Sequence, residues 1–177
     1  ITEKKEIEEK LRLNEQRLFE AQELSRSGSW ELILEPEYEL QWTPGTYKIW
    51  DLAPNRPTPS RDEFYDRVIP ADREKVKEAF RILIQDKRPA EVQYRVRTYA
   101  HIEKVFFSRG VPVQNAAGEV YKVYGTTADV TERVHREQVH RDVERALRAV
   151  DQAGQPRLEP GRPDERLGHH RARRARR

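Results

Sequence analysis

Two carboxylates, Asp129 and Glu132, stand three residues apart at the start of a predicted helix. An Asp in front of a helix accepts hydrogen bonds from its first free N–H groups, and a Glu three residues later can reach back to complete a capping box. Both charges also favour the positive end of the helix dipole. This spacing predicts a clasp between the last strand and the following helix, although an ordinary cap, stabilising by about 1 kcal/mol, needs no function.

Histidine and cysteine usage argues against catalysis. His135 and His140 are five residues apart, so on a helix they point about 140° apart and cannot share a metal ion. The absence of Cys excludes disulfides, thiolate metal sites and a cysteine nucleophile. The sequence also contains no Ser/His/Asp constellation and no Gly-rich phosphate loop. We therefore predict a binding module with no catalytic residue and no metal site.

The formal net charge of +3 comes from the end of the chain. Residues 156–177 carry eight Arg and three acidic residues, which leaves 26 basic and 28 acidic residues before them. The Arg cluster comprises Arg171, Arg173, Arg174, Arg176 and Arg177. Such a tail would bind any polyanion through its charge, without reading bases, so we expect no specific nucleic acid partner. No apolar run is long enough for a membrane span.

Hydrophobic periodicity predicts an alternation of helices and strands. The predicted helices cover residues 2–24, 45–52, 60–68, 72–86 and 130–153, and the predicted strands cover 28–34, 38–42, 91–98, 103–113 and 119–128. A capping box, Ser60 with Glu63, opens the third helix. The order predicts an α+β fold, a five-stranded antiparallel sheet with helices on one face.

The two terminal helices carry narrow apolar seams with a 4-3 spacing. The first seam contains Ile7, Leu11, Leu18 and Ala21, and the second contains Val139, Val143, Ala146 and Val150. A narrow seam on a charged rod can pair with a second copy in a coiled coil. The same pattern is equally consistent with one amphipathic helix docked on its own domain.

We divide the chain into a linker helix (1–24), a central domain (25–129), an exit helix (130–153) and a disordered Arg-rich tail (154–177). Residues 1–4 match residues 130–133 at an offset of 129, which indicates one period of a tandem array, so that 1–24 would end a preceding unit. The chain begins without Met and is most simply a piece of a longer protein. The tail is either native or the product of a frameshift.

Six short motifs in order resemble a PAS sensor domain with its PAC segment, of the type common in bacterial multi-domain sensor proteins. They are Gly28-Ser-Trp30; Trp42-Thr-Pro44 with Tyr47-Lys-Ile-Trp50; Val68-Ile-Pro-Ala-Asp-Arg73; Tyr94-Arg-Val96 with Ser108-Arg-Gly110; Gly118 with Gly125-Thr126; and Asp129-Val-Thr-Glu-Arg133. The resemblance covers about residues 20–133. The chain departs from the family pattern at Ile69, Val105 and Tyr99-Ala-His101, the last of which replaces a frequent Asp-Gly turn.

This resemblance implies a cytoplasmic sensor or relay module that binds a small ligand or partner. Its state would pass through the exit helix to an effector in the same parent chain, most often a histidine kinase of a two-component pathway and less often a diguanylate cyclase. The exit motif assigns signal transmission to Asp129, Thr131, Glu132 and Arg133. The terminal helices would form a homodimer. The alternative is a ligand-free spacer that only dimerises and couples.

By the same resemblance, a ligand pocket would lie between the concave sheet face and helix 72–86. The candidates for its wall are Trp30, Leu32, Ile49, Phe80, Leu83, Tyr94 and Tyr124. An apolar set of this kind is also what a simple core requires. Haem-binding relatives usually place a His on that helix, where this chain has none, and a flavin photoadduct needs Cys. These features argue against haem and against adduct-forming flavin, and the sequence does not identify another cofactor.

Overall fold

The computed structural model describes residues 2–154. Along these residues the chain forms α1 (Thr2–Ser25), β1 (Ser27–Ile33), β2 (Glu39–Trp42), α2 (Pro44–Ile49), α3 (Arg61–Arg67), a 3-10 turn (Pro70–Asp72), α4 (Arg73–Ile84), β3 (Ala90–Arg97), β4 (Glu103–Gln114), β5 (Val120–Asp129) and α5 (Thr131–Ala153). The chain divides into two compact units, with the boundary between Glu137 and Gln138 inside α5. The predicted disordered tail lies, from residue 155 onward, outside the described residues.

The five strands form one antiparallel sheet in the order β2-β1-β5-β4-β3. This architecture confirms the predicted α+β fold. The first and last strands are neighbours at the centre of the sheet, with Ser27 opposite Ala128 and Ile33 opposite Lys122. The chain therefore enters and leaves the domain at the same end of the sheet.

Alternation along the strands separates a buried inner face from an outer face. On β5, Val123 and Thr127 are buried, whereas Tyr124 between them is 46% exposed. Strand β3 alternates in the same way, with Tyr94 and Val96 buried. Successive side chains of a strand point to opposite faces, so the inner residues of every strand meet the helices.

Two hydrophobic clusters fill the space between the inner face and the helices. The first contains Ile49, Trp50, Val68, Val76, Tyr94, Val96 and Phe106, and the second contains Leu32, Ala79, Leu83, Ala90 and Val123. Helix α4 contributes to both, because Val76, Ala79 and Leu83 recur at 3–4-residue spacing on its buried side. Phe80 packs against both clusters and joins them.

Gly125 allows the Trp30 ring to lie across β5. A Cβ atom at position 125 would come within 2.7 Å of the Trp30 ring and would also collide with the Arg109 carbonyl. The indole therefore occupies space that any other residue at position 125 would fill. The position of Trp30 on the inner face depends on this glycine.

A buried carboxylate, Asp72, connects the start of α4 to β3. Its oxygens accept hydrogen bonds from the Arg95 backbone N–H at 2.8 Å and from Arg95 Nε and Nη2 at 3.0 Å each. The Asp72 side chain is 7% exposed. These Arg95 hydrogen bonds lower the pKa of Asp72 to about 2, although burial opposes them.

The structure corrects the predicted capping box at the start of α3 and describes the β3–β4 loop in which this chain departs from the family pattern. Ser60 caps α3 by accepting a hydrogen bond from the Glu63 N–H at 3.2 Å, but the Glu63 carboxylate accepts a hydrogen bond from the Tyr99 hydroxyl at 2.8 Å. That carboxylate therefore contacts the β3–β4 loop, and no reciprocal capping box is seen there. In this loop His101 takes the left-handed conformation (φ 62°) that a glycine would favour.

None of the helices described between residues 2 and 154 is both long and apolar enough to cross a membrane.

Replacing Asp72 with Asn should destabilise the fold by about 2 kcal/mol at pH 7, because the charged bidentate contact to Arg95 is lost. The pKa is lower in the folded state than in the unfolded state. The contribution of Asp72 is therefore complete above about pH 4 and is lost as the pH falls towards 2. Urea unfolding of the wild type and the variant between pH 2 and 7 measures this difference.

The matched control is Asp66→Asn, which changes an exposed carboxylate on α3. A difference between wild type and Asp72→Asn that stayed constant from pH 7 to pH 2 would contradict this role of the Asp72 charge.

Candidate functional site

A cavity of about 60 Å³ lies on the inner face, between β1, β2 and β5 on one side and the helices on the other. Its lining consists of Trp30, Leu32, Tyr38, Leu40, Trp42, Thr46, Trp50, Phe64, Phe80 and Thr127. A second cavity of about 90 Å³ shares Leu32, Tyr38, Phe64 and Phe80 with it. All three tryptophans of the chain line the first cavity.

Three of the seven predicted wall residues, Trp30, Leu32 and Phe80, line this cavity. Leu83, Tyr94 and Ile49, the last residue of α2, are buried in the two core clusters. Tyr124 lies on the outer face. The prediction placed it on the wrong side, because Val123 and Thr127 set the inward phase of β5.

A chain of hydrogen bonds crosses four adjacent strands beneath the cavity. Tyr94 Oη on β3 lies 3.1 Å from Ser108 Oγ on β4, which lies 2.7 Å from Thr127 Oγ1 on β5. Trp30 Nε1 on β1 donates to Thr127 Oγ1 at 3.1 Å. Burial raises the pKa of Tyr94 to about 12, so its phenol stays protonated at neutral pH.

The outer face carries a broad open groove of about 580 Å³. Its exposed side chains include Tyr124 and Thr126 from β5, Arg109 from β4 and Gln41 from β2. The groove follows the surface of the sheet and, unlike the first inner cavity, has charged residues, Glu31 and Arg109, in its lining. It is not the pocket that the sequence predicted.

The junction between β5 and α5 is held by reciprocal hydrogen bonds to Val105 on β4. The Val130 N–H donates to the Val105 carbonyl at 2.9 Å, and the Val105 N–H donates to Thr131 Oγ1 at 2.9 Å. The Thr131 hydroxyl donates to Asp129 Oδ1, which also accepts from the Thr131 N–H at 3.0 Å. Asp129 therefore holds the first residue of α5, and Thr131 ties both to the neighbouring strand.

Lys104 connects this junction to α2. Its ammonium donates to the Ile49 carbonyl at 2.9 Å and to Asp51 Oδ1 at 3.0 Å, and it lies 3.9 Å from Asp129 Oδ2. The Lys104 side chain is 16% exposed. A half-buried cation thus lies between two carboxylates, one after α2 and one at the end of β5, and stabilises their approach.

Glu132 does not complete the predicted capping box. The Asp129 N–H donates to the Arg26 carbonyl at 2.8 Å, and the Glu132 carboxylate pairs with Arg26 Nη1 at 2.7 Å. The N–H donor that the capping box would have used therefore already binds the carbonyl of Arg26, the residue before β1. Arg133 is exposed and lies 3.8 Å from Glu137 one turn along α5.

Sequence reasoning missed the residues that complete both sites. Trp42, Trp50 and Phe64 at the cavity lie within or beside the family motifs, and Thr127 has the same inward phase as Val123. Lys104 and Arg26 carried no sequence signal, because their roles depend on contacts with residues more than 50 positions away.

Comparison with known proteins identifies the family. The family model for the PAS fold matches residues 39–127. This chain belongs to the PAS fold family, as its sheet order and helices also show.

Among solved structures, a sensory box histidine kinase/response regulator from Burkholderia thailandensis E264 superposes with a TM-score of 0.59 and is 28% identical, covering 75% of this chain and 98% of that chain. The domain of a putative light and redox sensing histidine kinase from Haloarcula marismortui gives a TM-score of 0.53 at 26% identity, covering 66% and 99%.

A curated relative, the probable diguanylate cyclase DgcE of Escherichia coli (strain K12), is 25% identical over 141 residues. The match covers 79% of this chain and 12% of the relative. The chain therefore spans only a small part of that protein.

Replacing Thr131 with Val should destabilise the domain by about 1–3 kcal/mol, because it leaves the Val105 N–H without its acceptor and removes the hydroxyl bound by Asp129. Amide exchange at Val105 should become faster. Urea unfolding and hydrogen exchange measure the two effects. Thr131→Ser keeps the hydroxyl and should stay within about 0.5 kcal/mol of the wild type; equal stability of the Val variant would contradict the role of this contact.

Proposed function

We propose that this PAS domain is a sensory relay: a small ligand binds in the inner cavity, and its presence is passed through α5 to an effector domain. One observation carries the proposal. Strand β5 lines the cavity with Thr127 and, two residues later, holds the start of α5 with Asp129. A displacement of the cavity wall reaches the helix through a single short segment of backbone.

The pairing of β5 supports this coupling. The strand is hydrogen bonded along its length to β1 on one side and to β4 on the other, so it moves with the sheet. The contact of α5 with Val105 adds a second strand to the same joint. We propose Asp129 and Thr131 as the main transmitting residues. We propose that Glu132 contributes through its ion pair with Arg26, and that Arg133, which is exposed next to it, contributes as well.

For the effector, we propose a histidine kinase of a two-component pathway in the same parent chain. Two solved relatives above 25% identity carry that description, and the superpositions cover nearly all of both solved chains. The alternative effector is a diguanylate cyclase, which is how the curated relative is described. The cytoplasmic location stays a prediction.

Cavity size favours the second candidate function, a ligand-free spacer. The two inner cavities measure only about 60 and 90 Å³, less than most small-molecule pockets. Such voids are also found in a core that has no ligand. A ligand screen separates the two functions.

Thermal-shift screening of the full chain should identify one chemical class that raises Tm. A ligand at 100 times its Kd stabilises the folded state by about 2.7 kcal/mol, which corresponds to a rise of about 10 °C for a domain of this size. Leu40→Phe fills part of the cavity and is the matched control. A compound that stabilises the wild type but not Leu40→Phe supports sensing. If no compound distinguishes the two chains, the result supports the spacer.

We also propose that the terminal helices form a homodimer. Val139, Val143 and Val150 of α5 are 49%, 52% and 69% exposed, although they are apolar and recur on one seam. On α1, Ile7, Leu11 and Leu18 are 61%, 57% and 64% exposed. A second copy that buries these seams would stabilise each helix by about 1.5–3 kcal/mol for every fully buried side chain.

The double substitution Val143→Glu/Val150→Glu should convert a dimer at tens of micromolar into a monomer, because it places four carboxylates in the shared seam. Light scattering coupled to size exclusion measures the mass. The double variant Gln138→Glu/Gln152→Glu adds the same charge outside the seam and should remain dimeric. A wild-type chain that is monomeric at this concentration would overturn the dimer.

A further inference from the structure

The hydroxyl chain under the inner cavity has one hydrogen more than its links can use. Tyr94, Ser108 and Thr127 each bring one O–H hydrogen, but within hydrogen-bond distance they are joined by only two O···O links. The Trp30 indole only donates, so it takes no hydrogen from Thr127. One of the three hydroxyls must therefore direct its hydrogen away from these two links.

Two of the three hydroxyls, those of Tyr94 and Ser108, are buried where no acceptor outside the hydroxyl chain could receive this extra hydrogen. Tyr94 is 4% exposed, and its ring packs edge-on against Phe64 and Phe106 at 6.3 and 6.2 Å. Ser108 is 8% exposed and lies between the other two hydroxyls. Among the hydrogen bonds formed by residues 2–154, neither has an acceptor outside the hydroxyl chain. A buried donor left without an acceptor costs about as much as a lost hydrogen bond.

The third position opens into the cavity. If Tyr94 donates to Ser108 and Ser108 donates to Thr127, then Thr127 accepts from both Ser108 and Trp30. Its own hydrogen is then directed away from the chain, on the residue that lines the cavity. An acceptor in the cavity would select this arrangement, because it alone satisfies every donor in the chain.

Size and charge restrict what can supply the acceptor. Among the described residues, the first cavity, where Thr127 lies, is lined by aromatic, aliphatic and hydroxyl side chains and by none with a formal charge, whereas the second cavity has one charged lining residue, Arg61. A charged ligand would lose its hydration in the first cavity without compensation. The two adjoining cavities together approach the roughly 150 Å³ that accommodates a benzene-sized molecule.

We infer that the inner cavity takes a small neutral molecule with a compact apolar body and a single hydrogen-bond acceptor, such as a cyclic ketone, and that Thr127 donates to this acceptor. This inference rests on the proposed ligand-binding function and specifies its ligand class. Thr127 would then be both the contact to the ligand and, of the residues that line the first cavity, the one closest in sequence to the exit junction.

The test compares cyclohexanone with methylenecyclohexane, which has the same shape but lacks the carbonyl oxygen. The indole N–H signals of the full chain report binding in a ¹H–¹⁵N spectrum, because all three tryptophans line the cavity. Thr127→Val should weaken cyclohexanone binding by about tenfold, the effect of one hydrogen bond, and leave methylenecyclohexane within about twofold. Thr127→Ser keeps the hydroxyl and should retain cyclohexanone binding.

The outcomes separate the inference from the proposed function. If both compounds shift the indole signals but Thr127→Val weakens the binding of both compounds equally, the donor role of Thr127 is wrong and the cavity still binds ligands. If neither compound shifts any indole signal in the wild type at millimolar concentration, the ligand class is wrong, and the thermal-shift screen then decides whether the cavity binds another class of ligand. Dispersed spectra of each variant establish that it is folded.

Discussion

The exchange of hydrogen bonds between Val105 and the first residues of α5 is the constraint on which the rest of the domain depends. It extends the β4–β5 ladder by one step beyond the last strand and makes the start of the helix part of the sheet. Asp129 and Lys104 support the same joint from the strand and from α2. The start of the helix can therefore change direction only if the end of the β4–β5 ladder, or the hydrogen bonding there, changes as well.

The inner face combines two requirements that normally compete. A stable core needs dense apolar packing, which the two clusters around Phe80 provide. A specific binding site needs a polar group whose hydrogen bonds are completed only by the ligand. The hydroxyl chain is placed to meet both needs, because Tyr94 and Ser108 are buried in the core, whereas Thr127 and the Trp30 indole that donates to it also line the cavity.

The sequence predicted the fold well, because element types and their order follow from hydrophobic period and turn residues. Strand and helix limits agree with the structure to within a few residues, as for β3 and α5. The sites were less predictable. Tyr124 was assigned to the wrong face because its aromatic character outweighed the period of β5, and Glu132 was assigned to a cap whose donor is taken by Arg26. Contacts between distant segments, such as Lys104 with Ile49, leave no local pattern to read.

The side-by-side arrangement of β1 and β5 has a consequence for how such chains are assembled. Because Ser27 lies opposite Ala128, the backbone reaches and departs from the domain across one strand spacing, roughly 5 Å. Deleting or adding the whole folded body would leave the two flanking helices separated by almost the same short gap. A genetic duplication with its boundaries at these two points would need no rerouting of the polypeptide, so the architecture is suited to growth by the addition of complete modules.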